Sequence, residues 1–215
     1  MLNQPLIERA IAWAEAEQRV SDLATARRRF ESATGPIDEH ARDYEARITH
    51  FLEHFFCEEG AHALVAFAHA AELTIDARRE LAGWLRSHRS VFAFTGFDGA
   101  LGHLRDCVFG GDFRFFPSES DRRLTVGDRF DSRLVPVGEL LYLAAGRVYH
   151  PRETHDALDT LLPQLDLDSL PATELLDGLL LMRSRYLSFA SVRAEHVYQA
   201  RALAPVRLPL RQTTE

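Results

Sequence analysis

The central part of the chain, residues 89–151, alternates apolar and polar positions with the period of a β-strand. Phe92 and Phe94 alternate with small or polar neighbours, and Asp98-Gly99 follows them as a dipeptide suited to a tight hairpin. Further short alternating runs come after it, separated by glycines at the intervals typical of a sandwich or small barrel. The pattern therefore predicts a small antiparallel β-barrel of about five or six strands.

One of these runs, residues 129–134, predicts the two faces of the sheet. Its even positions are apolar or small, and its odd positions are charged. Successive side chains of a strand point to opposite faces, so the two sets are expected on different sides. We expect Phe92, Phe94, Phe130 and Leu134 to point into the barrel.

Apolar stripes with the period of a helix flank this unit on both sides. They predict helices over residues 5–31, 38–59, 61–71, 74–87, 154–162 and 173–202. The sequence thus predicts an α+β fold, in which an N-terminal helical arm (1–88) leads into the barrel. C-terminal helices (152–204) and an extended tail (205–215) follow. No linker rich in proline, glycine or serine separates the arm from the barrel, so we expect them to pack together.

Composition narrows the classes of protein that fit. The 215 residues are 46% hydrophobic and carry a net charge of −7, and all 25 basic residues are arginine. A chain this acidic is not expected to bind duplex nucleic acid, because phosphate contacts dominate that affinity. The two cysteines are too few for a disulfide framework, and no apolar run approaches the roughly 20 residues of a membrane span. The start of the chain lacks the pattern of a secretory signal, so we expect a cytoplasmic protein without membrane contact.

Three potential metal ligands share one helix face. His50 and His54 are four residues apart and Cys57 is three further on, and both residue types are good zinc ligands. This face lies opposite the apolar stripe of the helix, so we expect it to face solvent or another chain. The two interpretations are a zinc site and a polar surface with no bound cofactor.

Arginines and aromatic residues are interleaved in the predicted barrel. The arginines that could line one face, beside Phe116 and Tyr142, are Arg105, Arg114, Arg122, Arg123, Arg129 and Arg133. Small barrels bind single-stranded nucleic acid by base stacking together with backbone charge. Aspartates alternate with these arginines, however, which favours surface ion pairs instead. Single-stranded nucleic acid is therefore an alternative ligand, and not the expected one.

The sequence carries no specific catalytic signature. GxSxG, HExxH and the glycine-rich phosphate-binding loops are all missing, and Cys107 is interpreted as an inert thiol. We therefore predict a non-catalytic adaptor that binds a protein partner. Residues 1–85 carry 15 acidic and 9 basic side chains, which would suit a basic partner. Leu176 and Leu180, on the last helix, belong either to the core or to a homodimer interface.

Residues 72–138 also contain a set of residues whose order and spacing are similar to those of a known protein region. The matching positions are Leu73-Thr74, Leu81, Trp84, Ser87, Ser90-Val91-Phe92, Leu104-Arg105-Asp106, Gly110, Leu124, Val126-Gly127-Asp128 and Arg133-Leu134-Val135-Pro136. In this order and spacing, residues 72–138 resemble a region of uncharacterised bacterial proteins that often end in an SEC-C zinc motif. The resemblance implies a helix leading into a small β-barrel and implies no activity. The CxCGSG-type zinc tail is missing from this chain, so the partner contacts linked to that motif cannot be inferred for it.

Overall fold

The computed structural model describes residues 4–16, 20–58, 61–167, 170–189 and 191–203. It confirms the predicted α+β class, with an antiparallel sheet flanked by helices at both ends of the chain. The predicted tail, residues 205–215, lies outside the described residues. Within the described ranges, no helix has the length and apolarity that a bilayer span requires.

Within the described ranges, five α-helices precede the sheet. They are α1 (Gln4–Ala16), α2 (Val20–Thr34), α3 (Tyr44–Cys57), α4 (Ala61–Ala70) and α5 (Ile75–Trp84). The helix predicted over residues 5–31 corresponds to α1 and α2, and residues 17–19 between them lie outside the described residues. On one straight helix, Ala26 and Phe30 would lie about 120° and 160° around the axis from Ala14. All three are buried, which two helices with different orientations allow.

The six strands form one curled sheet. They are β1 (His88–Asp98), β2 (Leu101–Asp106), β3 (Asp112–Phe115), β4 (Arg129–Val137), β5 (Leu140–Leu143) and β6 (Val148–His150). Their order is β3-β2-β1-β4-β5, all antiparallel, and β6 pairs with β4. The sheet curls into a half-barrel, whose outer strands β3 and β5 approach one another. The amide of Phe116 donates to the carbonyl of Leu141 at 2.8 Å across this gap.

The concave face of the sheet holds the predicted interior. Phe92, Phe94, Phe130 and Leu134 are each at most 2% exposed and pack in one cluster with Phe115 and other apolar residues. The prediction for these four side chains is confirmed. The period-2 pattern was sufficient for these four positions because the cluster that fills this face is apolar.

The convex face packs against helices. A second hydrophobic cluster joins Trp84 of α5 and Val135 of β4 to Leu180, which belongs to the part of the chain that follows the sheet. The arm and the sheet therefore share a core, as expected from the missing linker.

In the described part of the chain after the sheet there are three α-helices. They are α6 (His155–Leu161), α7 (Ala172–Ser188) and α8 (Ala194–Val197). The predicted final helix is shorter than expected, because the backbone becomes extended at Phe189. Leu176 and Leu180 are 2% and 0% exposed within this single chain. They belong to the core, so the dimer interface assigned to them has no free surface.

Candidate functional site

The most unusual feature of the structure is a layer of buried charges between the convex face of the sheet and the helices. Arg89 on β1 donates from Nε and Nη2 to the two oxygens of Asp131 on β4, at 3.0 and 2.9 Å. Its Nη1 donates to Asp177 on α7 at 2.7 Å. Asp131 is fully buried and Arg89 is 6% exposed. This two-carboxylate clamp ties both central strands to α7.

A second arginine extends the layer to the end of α3. Arg133 lies beside Arg89 across the β1–β4 ladder and is 2% exposed. Its Nη2 donates to Glu58 at 2.8 Å and its Nη1 to the hydroxyl of Ser87 at 3.3 Å. The hydrogen bonds of both arginines are thus directed at the protein's own side chains.

The two histidines of the predicted zinc site lie within this layer. His50 is 1% and His54 is 5% exposed, so the expectation that they face solvent is wrong. The sheet covers the polar side of α3, and other helices cover its apolar side. Nδ1 of His50 donates to the carbonyl of Gly146 at 2.8 Å, and Arg89 donates to Nδ1 of His54 at 3.4 Å.

Both histidines are held in the neutral form. Burial, followed by the neighbouring charge of Arg89, lowers the pKa of His54 from 6.5 to about 2. The same two causes hold the pKa of His50 well below its ordinary value. Nε2 of His50 carries a lone pair 3.6 Å from Asp131 and makes no hydrogen bond.

Cys57 is directed away from these histidines. Its thiol donates to the carbonyl of Trp84 at 3.3 Å, at the end of α5, and accepts from the hydroxyl of Ser87. Burial raises the pKa of this thiol, which favours the protonated form over the thiolate that binds zinc. Throughout the described ranges, no group of three or more potential metal ligands is found. The zinc site remains a prediction from spacing alone.

Glu53 is a buried acid that the sequence patterns did not single out. It is 2% exposed, and one carboxylate oxygen accepts the amide of Gly146 at 2.9 Å while the other has no partner. A β-carbon at Gly146 would lie 2.6 Å from Glu53 and from the backbone of His50, so only glycine fits this turn. Burial raises the pKa of Glu53 from 4.5 to about 7.

Replacing Glu53 by glutamine is expected to change how stability depends on pH. The folded pKa exceeds the unfolded one, so this group's contribution is lost as pH rises from about 4.5 to 7. Between about pH 5 and pH 8 the wild type should lose about 2–3 kcal/mol relative to Glu53→Gln. Urea unfolding of both proteins across this range measures the difference. A difference that is independent of pH would contradict the prediction.

A cavity of about 280 Å³ opens beside the charged layer. Its polar lining comes from Glu58, Ser87, His88, Arg89, Arg133 and Thr173. At its edge, Nε2 of His88 lies 2.7 Å from Asp106, and Ser90 donates to the other oxygen of Asp106 at 2.5 Å. Although burial raises it, the pKa of Asp106 is lowered overall by the hydrogen bonds from His88 and Ser90.

This arrangement differs from a catalytic triad. The hydroxyl of Ser90 is bonded to the carboxylate and not to the imidazole, and Ser90 is fully buried. Asp106 also accepts the amides of Val108 and Phe109, each at 2.9 Å. Its role is therefore to fix the loop between β2 and β3.

The arginines assigned to nucleic acid do not share one exposed surface. Arg133 is buried on the helix side of the sheet, and Arg129 binds both oxygens of Asp159 on α6, at 2.6 and 2.8 Å. The prediction that these two line an open face is therefore wrong. Arg105 is exposed and paired with Asp112 at 3.3 Å, as the interleaved aspartates suggested. Arg114 is exposed on β3.

Apolar side chains are exposed where β3 and β5 meet. Phe116 is 42% and Leu140 is 43% exposed, and the ring of Phe116 lies 6.2 Å from that of Tyr142. Neighbouring residues on each strand point into the half-barrel, which leaves this set on the outer face together with Arg114. We refer to Arg114, Phe116, Leu140 and Tyr142 as the β3–β5 patch.

Comparison with models of known protein families, with curated proteins and with solved structures finds no match to this chain. The resemblance of residues 72–138 to the region found upstream of SEC-C motifs therefore stays a prediction. The candidate surfaces are defined by their own geometry alone.

Proposed function

We propose that this chain is a non-catalytic binding protein that docks a protein partner on the β3–β5 patch. The observation that carries the proposal is the exposure of Phe116 and Leu140 where β3 and β5 meet. Large exposed apolar groups that lie side by side are typical of protein interaction sites. By contrast, the hydrogen bonds of Arg89, Arg133 and Asp106 are made with other side chains of the fold.

The charge around the patch indicates the chemistry of the partner. Apart from the ion pair between Arg105 and Asp112, the exposed charges nearby in sequence are Arg114, Arg122, Arg123, Glu119 and Glu139. Asp121 is buried and paired with Arg147, so this ion pair does not alter the net charge of the exposed groups. Three positive and two negative groups give an excess of one positive charge in a chain whose net charge is −7. We therefore infer an apolar partner segment flanked by acidic residues.

Removing the apolar part of the patch is expected to abolish partner capture. The double variant Phe116→Ser/Leu140→Ser should reduce partner retention by about thirtyfold or more, since interface anchors contribute about 2 kcal/mol or more. The measurement is affinity capture from the native host with immobilised protein, followed by titration of the captured partner.

The matched control is Ile75→Ser, because Ile75 is 71% exposed on α5. It should retain the partner at the wild-type level, and thermal unfolding should show that both variants remain folded. Equal capture by the double variant and by the wild type would show that the patch is not the docking surface.

Single-stranded nucleic acid is a second candidate for the same patch. The ring pair of Phe116 and Tyr142, with Arg114 on the same face, is the kind of surface on which bases stack. A labelled single strand of about 16 nucleotides would then bind with an affinity that falls steeply between about 50 and 200 mM salt. Failure to bind at the lower salt concentration excludes this function and leaves the protein partner.

A further inference from the structure

A second cavity lies between the helices, away from the residues that form the β3–β5 patch. It has a volume of about 290 Å³. The loop between α2 and α3, the start of α3 and the C-terminal turns of α7 surround it. The lining residues used below are Asp38, Asp43, Arg47, Arg183, Ser184 and Leu187. A volume of this size accommodates a small molecule.

Arg47 is anchored at this cavity by only part of its guanidinium. Its Nη2 donates to the hydroxyl of Thr34 at 3.0 Å and to the carbonyl of Gly35 at 2.8 Å, at the end of α2. Nη1 of the same group is buried and has no hydrogen-bond partner. Arg47 is only 4% exposed, so an unsatisfied donor there is energetically costly.

Arg183 adds a second buried positive charge to the same cavity. It is 7% exposed, and it donates to the carbonyl of Tyr149 and to Asp43, each at 2.5 Å. Burial and the charge of Arg183 lower the pKa of Arg47 to about 10, which shows how closely the two cations affect one another. The cavity thus places two guanidinium groups together.

The carboxylates at the cavity do not satisfy Arg47. Asp43 is bonded to Arg183, and the exposed Asp38 accepts the amide of His40 at the rim. Among the described residues, no carboxylate lies within ion-pair distance of Arg47, whose guanidinium carbon lies 5.3 Å from the ring centre of Phe30. Asp43 is the N-cap residue of α3, and its side chain makes no capping bond there.

From this geometry, we propose that the cavity binds the phosphate group of a small molecule, with the guanidinium groups of Arg47 and Arg183 as its principal donors. A phosphate offers several acceptor oxygens to two adjacent guanidinium groups. The hydroxyl of Ser184 lies on the same wall as a further donor. The inference is independent of the function proposed for the β3–β5 patch.

Titration calorimetry with the full chain tests the proposal, with inorganic phosphate and glycerol 3-phosphate as probes at constant ionic strength. We expect saturable binding that Arg47→Gln weakens by about ten- to a hundredfold, the effect of losing a charge-assisted hydrogen bond. Arg27→Gln is the matched control, because Arg27 pairs with Glu31 on the exposed side of α2. This variant should bind as the wild type does.

A second variant leaves both arginines in place. Leu187 is 53% exposed and lines the cavity, so Leu187→Trp should fill the entrance and weaken binding without removing a charge. Stronger binding of glycerol 3-phosphate identifies an organic phosphate as the ligand, and equal binding identifies free phosphate. The proposal is overturned if neither probe binds the wild type saturably, or if both cavity variants bind as tightly as Arg27→Gln.

Discussion

Replacing Arg89 by methionine is expected to lower the free energy of unfolding by about 3–5 kcal/mol. The change leaves Asp131 fully buried without its bidentate partner, and it also removes the bond to Asp177. A buried carboxylate that has lost its counter-charge is much more costly than the ion pair was favourable. Urea unfolding at neutral pH measures the loss.

The matched control is Arg105→Met on the neighbouring strand β2. Arg105 and Asp112 form an ion pair whose side chains are 66% and 75% exposed, so its removal should change stability by less than about 1 kcal/mol. The double variant Arg89→Met/Asp131→Leu should recover part of the loss, because it leaves no unpaired charge on β4. A loss for Arg89→Met as small as that for Arg105→Met would show that the clamp does not hold the layers together.

The clamp also explains which parts of the fold the sequence could predict. The apolar cluster on the concave face follows the rule that apolar side chains are inside, so alternation alone placed Phe92, Phe94, Phe130 and Leu134 correctly. The convex face breaks that rule, because its charged positions pair with the helices and not with water. A strand with charged residues at alternate positions has the same sequence pattern whether those residues pair with helices or face water.

The same limit applies to α3. Periodicity correctly identified its apolar stripe, but the opposite, polar side is buried as well. His50 and His54 were therefore expected in solvent, although they lie against Arg89 and Asp131. Only the partner residues, which are distant in sequence, distinguish an exposed polar face from a buried one. Pairings such as Arg89 with Asp177 carry no local signal.

The surroundings of Cys57 and of the two cavity arginines could not be predicted from the sequence either. The spacing of His50, His54 and Cys57 places them on one side of a helix, but it does not determine where each side chain points. Trp84 and Ser87 draw the thiol of Cys57 towards α5. Arg47 and Arg183 are 136 positions apart, so their common cavity appears only once α3 and α7 pack at the same end of the fold.

Buried histidines are expected to make the protein sensitive to mild acid. Burial is the main cause that lowers the pKa of His54 to about 2 and that of His150 to about 3, both from 6.5. Their folded values lie below the unfolded one, so the unfolded state binds more protons, and stability falls as pH drops below about 6.5. Between about pH 7.5 and pH 5, each histidine should reduce the free energy of unfolding by about 2 kcal/mol.

The variants His54→Gln and His150→Gln isolate these contributions. Each should lose about 2 kcal/mol less than the wild type between about pH 7.5 and pH 5, and the double variant about 4 kcal/mol less. Urea unfolding across this range measures the changes. His69→Gln on α4 is the control for placing glutamine at an exposed helical position. Glu53 acts with the opposite sign in part of this range, but it is common to all four proteins and cancels in the differences. Parallel profiles for all four proteins would contradict the prediction. They would mean that protons reach the buried histidines without unfolding the protein, and that the sheet and α3 separate more easily than their burial indicates.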